Sequence, residues 1–225
     1  AGVTFSPGVS VSAKDAANAL LTAFTGTVTV SVSSGPAGAT LGGTTSVNAV
    51  GGVATFSALR LTKAGTYTLR FASTGLASVI TASFTVGAAP ANTIAADSGN
   101  AQTGTAGAAL AQKLVVLVTD SLGNPVSGTA VMWAVASGGG SIDSTATVTN
   151  AAGRTRVKLT LGLTAGSNSA TATSTGLTGS PVAFSATGVG TVVSTTVTPQ
   201  LDTIVSLNAT FALTAQSRDA ATNPI

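Results

Sequence analysis

Over most of its length this chain alternates polar and apolar residues with a period of two. Thr27-Val28-Thr29-Val30-Ser31-Val32 does so for six residues, and Ala54-Thr55-Phe56 and Tyr67-Thr68-Leu69-Arg70-Phe71 follow suit. Val131, Trp133 and Val135 share one side of a further run. A strand turns successive side chains to opposite faces, so such runs bury one face and wet the other. Their Val, Thr, Phe and Tyr residues suit a pleated, half-buried surface. Between them lie Gly35-Pro36-Ala37-Gly38, Gly51-Gly52, Gly123-Asn124-Pro125 and Gly138-Gly139-Gly140. These are turn formers: Gly allows a positive φ, Asn tolerates one, and Pro presets its own. Short strands broken by turns every ~8–12 residues predict an all-β, antiparallel sandwich. Only Ala16 to Leu21 offers a helical turn, and a loop fits it equally well.

The pattern is repeated. Ser12-Ala13-Lys14-Asp15-Ala16-Ala17-Asn18 returns as Val118-Thr119-Asp120-Ser121-Leu122-Gly123-Asn124-Pro125 and again as Ser217-Arg218-Asp219-Ala220-Ala221-Thr222-Asn223-Pro224. The Asp positions 15, 120 and 219 are 105 and 99 residues apart. A second marker, Ala72-Ser73-Thr74-Gly75-Leu76, returns as Thr173-Ser174-Thr175-Gly176-Leu177 after 101 residues. A period near 100 is the length of one immunoglobulin-like domain. Aligning Gly26-Thr27 with Gly128-Thr129, with one residue gained after it in the second repeat, sets Val30 opposite Trp133. The expected division is 1–87, a first sandwich; 92–188, a complete second one; and 192–225, the opening strands of a third. The linkers, Gly87 to Ala91 and Gly188 to Thr191, are short, which favours an end-to-end arrangement over loose tethering.

The composition excludes most chemistry. There is no Cys, His or Glu, there are six Asp, and 7 % of residues are charged, against roughly 25 % in an ordinary soluble domain. General acids and bases are mostly His, Glu or Asp, and zinc sites draw on Cys and His. No catalytic, cofactor-binding or metal-ligating residue is therefore expected, and no cofactor. The mean hydropathy of +0.51 comes from scattered Ala and Val. Clean apolar runs such as Leu114 to Val118 are far short of the ~20 residues of a spanning helix, so no membrane span is expected. The net charge of +3 includes no basic run, and no nucleic-acid partner is expected.

Thr119-Asp120-Ser121-Leu122-Gly123-Asn124-Pro125-Val126-Ser127-Gly128, with Gly138-Gly139-Gly140-Ser141, Thr149-Asn150-Ala151-Ala152-Gly153-Arg154 and Ser180-Pro181-Val182-Ala183-Phe184, resembles the bacterial immunoglobulin-like domains of invasin and intimin type over essentially all of 92–188. Residues 44–86, with Ser46 to Phe56 and Ala64 to Leu69, resemble a sister family of large bacterial surface proteins, and 192–219 resemble the opening of another such domain. The resemblance implies an extracellular, cell-surface or virion-surface location and a non-enzymatic stalk or spacer of an adhesin-like protein. The alternative it leaves is a subunit of a self-assembling filament, sheath or phage virion. Partners would be copies of the chain or neighbouring repeats, with a host or surface receptor engaged by regions outside this segment.

Individual residues carry rival readings. Asp15, Asp120 and Asp219, each followed by an Asn, read as calcium ligands or as Asx turns. One carboxylate per repeat is thin for an ion that takes six to eight oxygens, so turns are expected. Trp133 can stack a glycan or fill the core; the Val at its repeat position favours the core. Arg154, Arg156 and Lys158 form a comb that reads as a polyanion strip or, as expected here, a solvated strand face. Lys14, Lys63, Lys113 and Lys158 are the available amines for an isopeptide crosslink, but the Glu that usually assists is missing.

The ends are uneven. Thr93 to Asp120 and Val192 to Asp219 each span 28 residues, whereas Ala1 to Asp15 spans 15. About one edge strand is missing from the first domain. Either 1–225 is a window on a longer chain that supplies it, or residues near 192–204 of one subunit complete the first domain of the next.

Overall fold

A computed structural model describes residues 1–191, 194–198 and 214–218. Every element among them is a strand. The contacts divide the chain into two compact units. The first comprises Ala1–Asn92 with Thr119–Val126, the second Thr93–Val118 with Ser127–Ile225. The third domain expected over 192–225 lies, apart from two short strands, outside the described residues.

The first unit holds β1 (Val9–Ser12), β2 (Thr27–Ser34), β3 (Leu41–Gly42), β4 (Ser46–Asn48), β5 (Val53–Phe56), β6 (Arg60–Leu61), β7 (Gly65–Ala72), β8 (Val79–Ile80) and β9 (Phe84–Val86). One sheet runs β4-β2-β7-β8, with β9 also on β7; facing it, β1 pairs with β5 and β3 with β6. The alternation read from the sequence becomes the burial pattern. In β2 Val28 and Val30 point inward, and in β7 Tyr67, Leu69 and Phe71 do. Val28, Val30, Leu69 and Phe71 meet Phe56 and Leu59, with the Phe56 and Phe71 rings 5.5 Å apart, while Tyr67 stacks on Phe84.

Later come β10 (Thr93–Ser98), β11 (Gln102–Thr105), β12 (Leu114–Thr119), β13 (Ala130–Ser137), β14 (Ser141–Ile142), β15 (Ala146–Val148), β16 (Arg154–Val157), β17 (Leu159–Thr160), β18 (Gly166–Thr173) and β19 (Val182–Val189). The sheets are β10-β12-β16 and β11-β19-β18-β13-β15, with β14 on β17. Leu114, Val116, Val118, Val131, Val157, Leu159 and Leu161 are buried between them, as the sequence predicts. One pairing departs from the antiparallel expectation: β11 runs parallel to β19, Gln102 opposite Ala186. The chain here starts beside β12 in one sheet and crosses to the edge of the other.

Two predicted core residues, Val32 and Val135, are only half-buried. Each sits where its strand loses register: the β2–β7 pairing shifts between Val32 and Ser34, the β13–β18 pairing between Val135 and Ser137. A bulge inserts a residue and bends the strand, which turns the last inward side chain away from the centre. The same device therefore recurs in both repeats.

Two further strands, β20 (Ser194–Thr198) and β21 (Thr214–Arg218), form an antiparallel pair with Thr198 opposite Thr214.

Candidate functional site

The first unit has an open flank between its two sheets. One wall is β1, which carries Val9 and Val11; the other is the far edge of the opposite sheet, with Phe71, Val79 and Thr81. The depression continues past Phe5 and Pro7 toward Phe84 at one end, and past Phe24 toward Leu76 at the other. Among the described residues no strand pairs with the second edge of β1 or of β8.

The second unit shows what closes that flank. By pairing, β12 matches β1: Leu114 faces Val157 on β16 as Val9 faces Phe56 on β5. Likewise β19 pairs with β18 as β8 and β9 pair with β7. There β10 covers the edge of β12 and β11 covers β19. The burial differs accordingly. Leu114 and Val116 are fully buried while Val9 and Val11 are half-exposed. In β19 residues alternate strictly between buried and exposed, while Val79 and Ile80 are 51 % and 54 % exposed.

The repeated Asp residues act as turn caps. Asp15 Oδ1 accepts from the amides of Ala17 and Ala19, both at 2.9 Å. Asp120 does more. Its Oδ1 accepts from the amides of Leu122 and Asn124, both at 2.8 Å, and its Oδ2 from Ala89 N and Asn124 Nδ2, both at 2.9 Å. Burial alone would raise its pKa, but the hydrogen bonds from Asn124, Ala89 and Leu122 outweigh it and hold the carboxyl below its usual value. Asn124 in turn donates from Nδ2 to Thr62 O at 3.0 Å and accepts from Ala64 N at 3.0 Å. All of these residues belong to the first unit. Asp219 lies outside the described residues.

Asp97 accepts two bonds of 2.9 Å from Arg154, which lowers its pKa. Asp143 accepts from Lys158 N at 2.7 Å and lies 3.7 Å from Lys113 Nζ. Thus Asp15, Asp97, Asp120 and Asp143 each serve local structure. Among the described residues no group of three carboxylates gathers to hold a metal.

The basic comb has Arg154 and Arg156 exposed and Lys158 half-buried, with Arg154 already paired to Asp97. Trp133 is buried, packs 5.9 Å from Phe184 and donates from Nε1 to Thr147 Oγ1 at 2.8 Å. Of the lysines, Lys14 Nζ donates to Asn18 Oδ1 at 3.0 Å on the exposed surface, and the Lys113–Asp143 pair is also exposed. Among the described residues no helix is long and apolar enough to cross a membrane.

No protein-family model matches the sequence, and no curated protein does. Solved structures do. One is FdeC, an Escherichia coli adhesin described as broadly conserved and eliciting protection against urinary tract infections; it has a TM-score of 0.57 at 20 % identity, over 97 % of this chain and 70 % of that one. Another is invasin, a bacterial integrin-binding protein, with a TM-score of 0.48 at 20 % identity over 97 % of this chain and 44 % of that one. The D0-D1 domains of intimin give a TM-score of 0.32 at 21 % identity, over 80 % and 88 %. The FdeC likeness, with the paired-sheet architecture, shows an immunoglobulin-like sandwich fold.

Proposed function

We propose that this chain is a non-enzymatic spacer in an exported bacterial surface protein, made of sandwich domains that hold some other part away from the cell. The observation that carries this reading is the fold itself, shared with an adhesin and combined with a side-chain inventory that leaves Asp as the only acidic residue. Each described Asp is spent on a turn, a strand pairing or an ion pair. With 7 % of residues charged, the surface has little charge to repel a close neighbour.

A second reading, a subunit of a self-assembling filament or sheath, is favoured by one observation, the low charge: 7 % of residues are charged, which leaves little like-charge repulsion against close packing of copies. In both readings receptor binding belongs to other regions of the parent protein.

An antibody raised against this chain tests the location. It should label intact cells of the source organism as strongly as permeabilised ones. Labelling that appears only after permeabilisation would place the chain inside the cell and end the surface reading.

A further inference from the structure

We propose that the first unit draws part of its stability from the folded state of the second, through a clasp formed by Thr119–Val126. This goes beyond the spacer reading and stands apart from it, because a spacer can equally be built of sandwiches that unfold independently.

The clasp is out of place in the sequence. It joins β12 to β13, which apart from Thr119 belong to the second unit, yet its eight residues belong to the first. The chain therefore leaves the first unit after Asn92, returns to it at Thr119 and leaves again after Val126. What holds the segment there is specific. Asn124 Nδ2 donates to Thr62 O and its Oδ1 accepts from Ala64 N, both at 3.0 Å. Asp120 Oδ2 accepts from Ala89 N at 2.9 Å, and also from Asn124 Nδ2 at 2.9 Å, which ties the two side chains together. Both residues are buried, so these bonds are shielded from water.

The turn itself does not need them. The matching turn at Asp15 closes on two local amides, those of Ala17 and Ala19, and Asn18 Oδ1 accepts from Lys14 Nζ. Asp120 has the same local pair in Leu122 and Asn124. The bonds to Thr62, Ala64 and Ala89 are added to it.

Coupling follows from chain entropy. Pinning a free segment of this length costs conformational entropy that three hydrogen bonds barely offset. With β12 and β13 folded, both ends of the segment are already fixed, so most of that cost falls on the folding of the second unit. The three bonds then act in full on the first unit. With the second unit unfolded, the segment is part of a free chain and the bonds go with it. By linkage the effect is mutual: the folded first unit stabilises the second by the same amount.

The chain contains one Tyr and one Trp, Tyr67 buried in the first unit and Trp133 in the second, so each unit carries its own optical signal. Amide exchange at β7 of the full chain, in native buffer, reads the stability of the first unit. Asp at the fully buried Val131 and Leu114 unfolds the second unit, which Trp133 emission verifies. The clasp predicts that V131D/L114D speeds exchange at β7 about tenfold, that N124A alone does the same, and that V131D/L114D added to N124A speeds it no further. Unchanged exchange at β7 in V131D/L114D would show two independent units and overturn the proposal. An equal acceleration by V131D/L114D with and without Asn124 would overturn it too, since the coupling would then run through something other than the clasp.

Discussion

Asp15 and Asp120 occupy the same place in two repeats and cap the same kind of turn, yet their surroundings differ. Asp15 is exposed and accepts two amides; Asp120 is buried and accepts four donors. Removing a charged acceptor strands buried N–H groups, whereas exposed amides turn to water. Asp120→Ala should therefore cost about 2–3 kcal/mol and Asp15→Ala about 0.5–1 kcal/mol, read from urea unfolding. The acid dependence follows from the lowered carboxyl of Asp120, joined by that of Asp97 beside Arg154. A group whose pKa is lower folded than unfolded stabilises fully above its unfolded value, near 3.9 for Asp, and loses this as pH falls through the folded one. The urea midpoint should stay level from neutrality to about pH 5 and then fall, and Asp120→Ala should fall less steeply. Trp133→Ala should cost about 3–5 kcal/mol, as expected of a core ring rather than a surface platform. A change near zero would return Trp133 to the surface. The turns at Asp15 and Asp120 were legible because the Asp and a following Asn bracket the tight turn in both. The four-donor cage was not, because Ala89 comes from a distant part of the sequence. Nor was buried Asn168, although it shares strand parity with the buried Ala170 and Ala172. It takes that slot by accepting from Gly162 N at 3.0 Å and donating to Gly166 O at 3.2 Å.

At the scale of elements, the long strands could be read directly and the short ones could not. Thr27–Ser34 and Ala130–Ser137 have enough alternation to fix their inward face, and the two strands are buried and exposed at the same positions. Two-residue strands such as Leu41–Gly42 and Arg60–Leu61 have no periodicity to read. They exist because the backbone before and after is already held. Gly43, just beyond β3, shows how tightly. Its φ is +95°, and a Cβ there would stand 1.8 Å from the Ala58 carbonyl oxygen. Gly38 also has a positive φ, +71°, but open space around it. Gly38→Ala should cost about 1 kcal/mol, the backbone term alone, and Gly43→Ala should cost several times that, since Ala58 must also move. Equal losses in thermal unfolding would contradict the packing described around β3 and β6. The bulges at Val32 and Val135 left no mark on the alternation, which is why both residues were expected deeper than they are.

For the whole molecule, the repeat spacing carried the most information. It gave the matching of Val30 with Trp133, both of which prove buried. What it could not give is how the chain behaves under load or in company. Metal is one part of that question: with each described carboxylate held by N–H groups or by a basic side chain, EDTA should leave the melting temperature unchanged, and a fall of many degrees would mean an ion site was overlooked. The central claim is mechanical. Pulling single full-length chains by their ends tests it most directly. A spacer of sandwich domains predicts separate force peaks, each releasing about 30 nm as a domain of roughly 90 residues becomes extended chain. A chain that lengthened smoothly, with no peak, would not be built to bear load, and the spacer reading would be wrong.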